Sequence, residues 1–167
     1  MFTVLIQALA LFLSVGRLDW GAAWAYLGVG LCILAYNMLV IVPRNPEMVA
    51  ERGRIKEGAK GWDKVLAVPL GIFGPLLLWV VAGLDERFGW SPGFPLVVHV
   101  MGLVFVALGN GLFSWSMASN PFFSGVVRIQ EDRGHTVATG GPYRFVRHPG
   151  YTAYITFTLA APLLLGS

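Results

Sequence analysis

The chain has 167 residues, of which 56% are hydrophobic and only 13% are charged. Soluble proteins have about 25% charged residues, and a chain of this size cannot hide so much apolar surface from water. The composition therefore excludes a soluble globule and indicates an integral membrane protein. The single cysteine, Cys32, excludes a disulfide framework within the chain. The net charge of +3 is not gathered into the basic, aromatic-rich face that nucleic-acid binding requires.

Five apolar stretches follow one another along the chain. Helix is the expected state of each, because in lipid the backbone N–H and C=O groups must be satisfied within their own segment. The alternating polar pattern of a membrane-barrel strand is missing. We predict an all-α, polytopic transmembrane protein with about five membrane segments, forming a single domain over residues 1–167. The five stretches are Phe2–Val15, Ala22–Val42, Val65–Leu84, Phe94–Ala118 and Tyr151–Gly166.

The lysines and arginines are distributed unevenly between the two sides that this topology defines. The link between spans two and three and the segment after span four hold most of them, whereas the other side has only Arg17 and Arg87. The positive-inside rule places the basic side in the cytoplasm. We therefore predict a multi-pass protein with a cytoplasmic site between spans four and five. From the general style of the sequence, we expect the membrane to be a bacterial inner membrane. The basic residues on that side are Arg44, Arg52, Arg54, Lys56, Lys60, Lys64, Arg128, Arg133, Arg144 and Arg147.

The cytoplasmic segment 120–151 differs from the rest of the chain in its length and its mixture of polar and apolar residues. A plain connector between two helices needs only a few residues. Within it, Gly140-Gly141-Pro142 predicts a turn, and Pro149 suits the first turn of the last helix. We expect free N–H groups at that helix N-terminus, where they favour an anionic group.

Two readings of this segment follow from the residues alone. Tyr143 and Tyr151 offer aromatic faces that attract a cation or a flat base, so the segment could hold a zwitterionic, base-containing ligand. Alternatively, Arg144 and Arg147 extend to lipid phosphates, and the two tyrosines form an interfacial belt. The residue pattern leaves both open.

The run from Gly141 to Tyr151, Gly-Pro-Tyr-Arg-Phe-Val-Arg-His-Pro-Gly-Tyr, resembles the signature of the isoprenylcysteine carboxyl methyltransferase family and its phospholipid methyltransferase relatives. Further parts of the chain are similar to the same family. They are Arg128-Ile129-Gln130, Gly134-His135-Thr136-Val137, Asn45-Pro46-Glu47, Glu51-Arg52-Gly53-Arg54 and Asn120-Pro121-Phe122-Phe123.

The resemblance implies a membrane-embedded enzyme that transfers a methyl group from S-adenosyl-L-methionine to a lipid-linked or small hydrophobic acceptor. It implies no metal and assigns no catalytic residue, since a carboxylate acceptor is already ionised at neutral pH. Through the resemblance, the residues that would bind the cofactor are Gln130, His135, Thr136, Val137, Ala138, Tyr143, His148, Pro149, Gly150 and Tyr151.

Three alternatives stay open beside this interpretation. One is a phospholipid or amine N-methyltransferase, another is a membrane reductase with a related helical core, and the third is a non-catalytic fragment of the family. The family's relatives continue past the fifth span with a further hydrophobic segment and a charged tail that contributes to the pocket. We therefore expect the 167-residue form to bind the cofactor weakly and to turn over little.

The histidines do not indicate a metal centre. His99, His135 and His148 lack the spacing with cysteine or carboxylate ligands that metal sites show. His99 lies within the fourth apolar stretch, where an ionisable residue is often functional. Because no charged partner is evident for it, we expect His99 to have little part in the function.

Overall fold

The computed structural model describes residues 2–46, 61–123, 134 and 136–167. These residues form helices and connecting segments, and no strand occurs in the described ranges. The prediction that the apolar stretches are helical is confirmed within the described residues. The helices are α1 (Phe2–Val15), α2 (Gly21–Arg44), α3 (Gly61–Phe88), α4 (Leu96–Ala118) and α5 (Pro149–Leu165).

Two of these helices, α2 and α4, are long and apolar enough to cross a membrane, judged by length and composition over the described residues. Helix α1 is apolar but has only 14 residues, short of the roughly 20 that a span needs. Helix α3 runs for 28 residues and extends the predicted third stretch at both ends. The structure thus agrees with a membrane protein, while five crossings remain a prediction.

Helix α2 changes its hydrogen-bonding pattern near its end. Residues Gly21–Tyr36 are α-helical, and Asn37–Ile41 form a π-helical turn, in which the Val42 amide donates to the Asn37 carbonyl. Pro43, two residues beyond the turn, has no amide to continue the regular α-helical pattern. The π-helical turn therefore lies where the proline interrupts the helix.

Helices α4 and α5 form the most closely packed pair, and glycines make their approach possible. A Cβ atom added to Gly102 would lie 2.7 Å from the Leu164 Cα atom, and one added to Gly109 would lie 2.9 Å from the Phe157 backbone nitrogen. Small residues let helix backbones approach closely in membranes. Helix α5 supplies Ala153 and Ala160 as buried small residues. This pair positions the segment that leaves α4 and enters α5.

A second region of the core joins α1, α2, α3 and the end of α5. Helices α1 and α3 meet at Gly83, where an added Cβ atom would lie 2.9 Å from the Leu11 carbonyl oxygen. The Trp79 indole N–H of α3 donates to the Tyr26 hydroxyl of α2 at 3.0 Å. The buried apolar members of this cluster are Leu11, Val15, Trp20, Ala23, Leu27, Trp79, Ala82 and Leu165.

His99 has a structural position at the start of α4. Its Nδ1 atom lies 2.8 Å from the Leu164 carbonyl oxygen, in the last turn of α5. Gly166 follows with a φ of +86°, which ends the helix in the left-handed conformation. His99 therefore has a backbone partner, although the sequence indicated no charged one, and it satisfies a carbonyl that the helix end leaves free.

Candidate functional site

The chain enters α5 through a short 3-10 helix, Gly141–Arg144, so the turn predicted at the two glycines and the proline is confirmed. The Tyr143 amide donates to the Gly140 carbonyl at 3.1 Å, and the Phe145 and Val146 amides both donate to the Pro142 carbonyl. Pro142 is buried. These bonds give the segment before α5 a defined backbone, on which its side chains are arranged.

Gly141 allows this turn to pack closely against the end of α4. Its φ is +55°, which side-chain-bearing residues rarely adopt. A Cβ atom at this position would collide with the Ser119 hydroxyl and would lie 2.8 Å from the Ser119 Cβ and 3.2 Å from the Trp115 Nε1 atom. Glycine is therefore required here both by backbone conformation and by space. Gly140 differs, because its φ is −85° and an added Cβ would meet nothing within 4 Å.

Tyr143 is held by a residue at the end of α4. The Asn120 Nδ2 atom donates to the Tyr143 hydroxyl at 3.2 Å, while the Asn120 Oδ1 atom accepts from the Phe122 amide at 2.9 Å. Burial raises the pKa of Tyr143, and the hydrogen bond from Asn120 offsets part of that rise. Tyr143 is therefore a neutral phenol at physiological pH, with its hydroxyl anchored to the α4 end of the site.

The first turn of α5 uses His148 as its cap. The His148 carbonyl accepts from the Tyr151 and Thr152 amides at 3.1 and 3.2 Å. Pro149 has no amide N–H and is buried, so it fixes the start of the helix. Of the N–H groups at this N-terminus, those of His148 and Gly150 have no backbone partner in the described part of the chain.

His148 and Tyr151 present their rings together at the surface. The ring centroids are 5.6 Å apart with 31° between the planes, and Tyr151 is 62% exposed. Arg144 and Arg147 are exposed nearby in the sequence, and the Arg144 guanidinium lies 4.7 Å from the centroid of the Phe145 ring. The arrangement provides aromatic faces next to cationic groups at the point where α5 begins.

The structure describes only some of the remaining residues that were predicted to bind the cofactor. Thr136 and Val137 are exposed, and Ala138 is half-buried, in a stretch without regular secondary structure. The contacts of the described residues do not join this stretch to the His148–Tyr151 pair. Gln130 and His135 lie outside the described residues.

Residues at the end of α4 complete the site, although the sequence analysis did not assign them to the pocket. Asn120 anchors Tyr143, and a Cβ atom at Gly150 would lie 3.0 Å from the Phe123 ring. The signal that could have identified them is the stretch Asn120-Pro121-Phe122-Phe123, which the resemblance already included. Their partners are 23 or more residues away in sequence, so only a folded structure pairs them.

A row of aromatic contacts leads from this site into the helix bundle. Phe123 contacts Phe113 edge-to-face at a centroid distance of 5.4 Å, and Phe113 contacts Phe157 of α5 in the same way at 6.3 Å. Phe157 in turn lines a cavity of about 500 Å³ among the five helices. The three rings therefore form an aromatic wall that runs between the cavity and the surface site.

These features define a helical membrane protein whose candidate site lies where its last described helix begins. Residues 100–167 match the model of the Isoprenylcysteine carboxyl methyltransferase (ICMT) family. This match contains most of α4, the turn and α5, and it confirms for this part of the chain the resemblance drawn from the sequence.

Curated relatives agree with the family match. Protein-S-isoprenylcysteine O-methyltransferase of Schizosaccharomyces pombe is 33% identical over 72 residues, which are 42% of this chain and 30% of the relative. A probable protein-S-isoprenylcysteine O-methyltransferase of Oryza sativa subsp. indica is 30% identical over 69 residues, 41% of this chain and 36% of the relative. The chain thus matches about a third of the length of these relatives. No solved structure matches it.

Proposed function

We propose that the chain is an S-adenosyl-L-methionine-dependent membrane methyltransferase that acts on a lipid-linked or small hydrophobic acceptor, in the manner of an isoprenylcysteine carboxyl O-methyltransferase. The observation that carries this proposal is the exposed His148–Tyr151 pair, which lies inside the segment that matches the family. The lipid-contact alternative predicts no preference for a nucleoside at this pair, so ligand binding separates the two.

The chemistry of the described residues fits such a cofactor. A sulfonium is a cation, which aromatic faces attract, and the rings of His148 and Tyr151 are presented side by side. A carboxylate suits an unpaired backbone amide at a helix N-terminus, which Gly150 offers, and exposed guanidinium groups, which Arg144 and Arg147 offer. We assign the same role of cofactor contact to Thr136, Val137 and Ala138, and also to Gln130 and His135 outside the described residues.

The residues of the chain would promote methyl transfer mainly by orienting the methyl donor and the acceptor. When bound, S-adenosyl-L-methionine supplies an electrophilic methyl group, and its sulfur keeps the electron pair of the broken bond. Tyr143 is immobilised by Asn120, so its ring forms a fixed wall and loses little freedom on binding. A carboxylate acceptor attacks without losing a proton, so no general base is needed. Alignment and exclusion of water from the nucleophile then provide the rate enhancement.

We also infer that the site faces the cytoplasm, because the basic residues are concentrated on its side. Cysteine labelling in intact cells tests this orientation. Cys32 is exposed and is first replaced by Ser, and a new cysteine is then placed at Gly53 or at Gly93. A membrane-impermeant maleimide should label the Gly93 position and not the Gly53 position. Labelling of Gly53 alone from outside would reverse the orientation.

Isothermal titration calorimetry with S-adenosyl-L-methionine and the purified chain in detergent tests the cofactor site. Tyr151→Ala should weaken binding about tenfold, roughly 1.4 kcal/mol, because it removes an aromatic face. Tyr151→Phe keeps the face and should bind like the original chain. His148→Ala should also weaken binding, while Tyr36→Ala, an exposed tyrosine on α2, is the matched control. Equal affinity for all four variants would refute the assigned pocket.

A further inference from the structure

The cavity of about 500 Å³ combines apolar walls with hydrogen-bonding groups. Its volume lies in the range of small-molecule sites, which are mostly apolar with a few placed polar groups. Most of its lining precedes residue 100, outside the segment that matches the family. The cavity is therefore formed largely by the part of this chain for which the family match gives no expectation.

Tyr26 is the most specific polar group in the lining. Its hydroxyl oxygen accepts the Trp79 indole proton at 3.0 Å, which leaves the hydroxyl proton to be donated. No acceptor for that proton is found within the described ranges. A donor that lines an apolar cavity without an acceptor is costly, so a ligand with an acceptor oxygen would stabilise the arrangement.

Two amide side chains in the lining are further hydrogen-bond donors for a ligand. Gln7 of α1 lines the cavity, and its amide has no partner within the part of the chain that the structure describes. Asn110 of α4 donates through Nδ2 to the Val106 carbonyl at 2.9 Å, which leaves one further N–H and its Oδ1 atom. Donors therefore come from three different helices, α1, α2 and α4.

The lining also limits the charge of a ligand. Among the described residues it contains no Asp, Glu, Lys, Arg or His. An ionised group in this environment would lack a counter-charge and would be strongly disfavoured. Apolar side chains such as Ile6, Leu76 and Phe157 instead suit a hydrocarbon body.

We propose that the cavity binds an uncharged lipid whose hydrocarbon body carries a carbonyl oxygen, which accepts the Tyr26 hydroxyl proton. A carbonyl has two lone pairs, so the Gln7 or Asn110 amide can donate to the same oxygen. The aromatic wall through Phe157, Phe113 and Phe123 leads towards the His148–Tyr151 pair.

Photoaffinity labelling of the chain in phosphatidylcholine vesicles tests the site without requiring methyl transfer. The probes are two uncharged photoreactive C18 lipids, identical except that one has a mid-chain ketone where the other has a methylene. The ketone probe should label cavity-lining peptides at an at least fivefold lower half-saturating concentration. Tyr26→Phe should remove this preference and leave the methylene probe unchanged, whereas Tyr36→Phe should change neither.

A second pair of variants tests whether the lipid binds in the cavity, and it leaves the Tyr26 hydroxyl in place. Gly30 lines the cavity, and a Cβ atom added there would lie 3.6 Å from its nearest neighbour, the Gln7 Oε1 atom. Gly30→Leu should therefore fit and block labelling by both probes. Gly28→Leu, at a position with nothing within 4 Å, should leave labelling intact.

The outcomes separate this proposal from the proposed function. Equal labelling by the two probes, or a ketone preference that survives in Tyr26→Phe, would overturn the carbonyl assignment. Labelling that survives in Gly30→Leu would overturn the cavity as the site. Ketone-dependent labelling together with no effect of His148→Ala on cofactor binding would leave the lipid site standing and refute the methyltransferase pocket.

Discussion

Gly141→Ala should disrupt the turn that carries the candidate site. Two separate costs arise, because the residue has a φ of +55° and because the new Cβ would collide with Ser119. The left-handed conformation costs a side-chain-bearing residue about 1–2 kcal/mol. Insertion of a methyl group into filled space costs about 1–3 kcal/mol. For a domain of this size, 1 kcal/mol corresponds to roughly 2–4 °C in Tm, so the total cost should lower Tm by at least about 4 °C.

A neighbouring glycine and a compensating change make this prediction specific. Gly140→Ala adds the same methyl group where φ is negative and no atom lies within 4 Å, so its Tm should stay within about 1 °C of that of the original chain. In the double variant Gly141→Ala with Ser119→Gly, the hydroxyl and Cβ that cause the collision are gone. That variant should recover the steric part of the loss and keep the conformational part.

The assay is thermal unfolding in detergent, followed by intrinsic fluorescence, together with calorimetric titration of S-adenosyl-L-methionine. Because Tyr143 lies two residues after Gly141, the single variant should also weaken cofactor binding, and Gly140→Ala should not. The reasoning fails if Gly141→Ala and Gly140→Ala have the same Tm. It also fails if the removal of the Ser119 side chain gives no recovery.

Three further outcomes follow from other parts of the structure. Asp85 is buried, which raises its pKa, but hydrogen bonds, including those from the Ser91 amide and hydroxyl at 2.7 Å, outweigh this and hold the pKa below its ordinary value. Its stabilisation should therefore be present above about pH 4 and lost as the pH falls through the lowered pKa, and Asp85→Asn should flatten the Tm profile below about pH 4. His99→Ala should lower the free energy of unfolding by about 1 kcal/mol, measured by thermal unfolding, and should leave the calorimetric affinity for the cofactor unchanged. A loss of affinity would show that His99 has a role in the site. Gly109→Leu should lower Tm strongly because its Cβ would meet the α5 backbone, whereas Gly111→Leu, with nothing within 4 Å, should not; equal Tm values would contradict the packing.

The helices were predictable from the sequence because long apolar stretches leave the backbone few alternatives. Their ends were less predictable. Helix α3 extends past the apolar stretch at both ends, to Gly61 and Phe88, since polar residues there also satisfy their backbone in helical form. The mean apolar character of a stretch therefore locates a helix but does not set its termini.

The candidate site was predictable only where it depends on local conformation. The turn at Gly141 and the helix start at Pro149 follow from the backbone preferences of glycine and proline. The bond from Asn120 to Tyr143 joins residues 23 positions apart, and no local preference indicates such a pair. The same limit applies to the burial of Pro149, because it depends on how α5 packs.

Several positions within the family-matched segment 100–167 accept only glycine, in contrast to positions that face lipid. A lipid-facing position needs only an apolar side chain, so many residues serve equally well. At Gly102 and Gly109 the α5 backbone occupies the place of a Cβ atom, and at Gly141 the end of α4 does. Substitution there separates α4 from α5 or displaces the turn that carries Tyr143. The cavity is different, because most of its walls come from α1, α2 and α3, outside the segment in which these glycines lie.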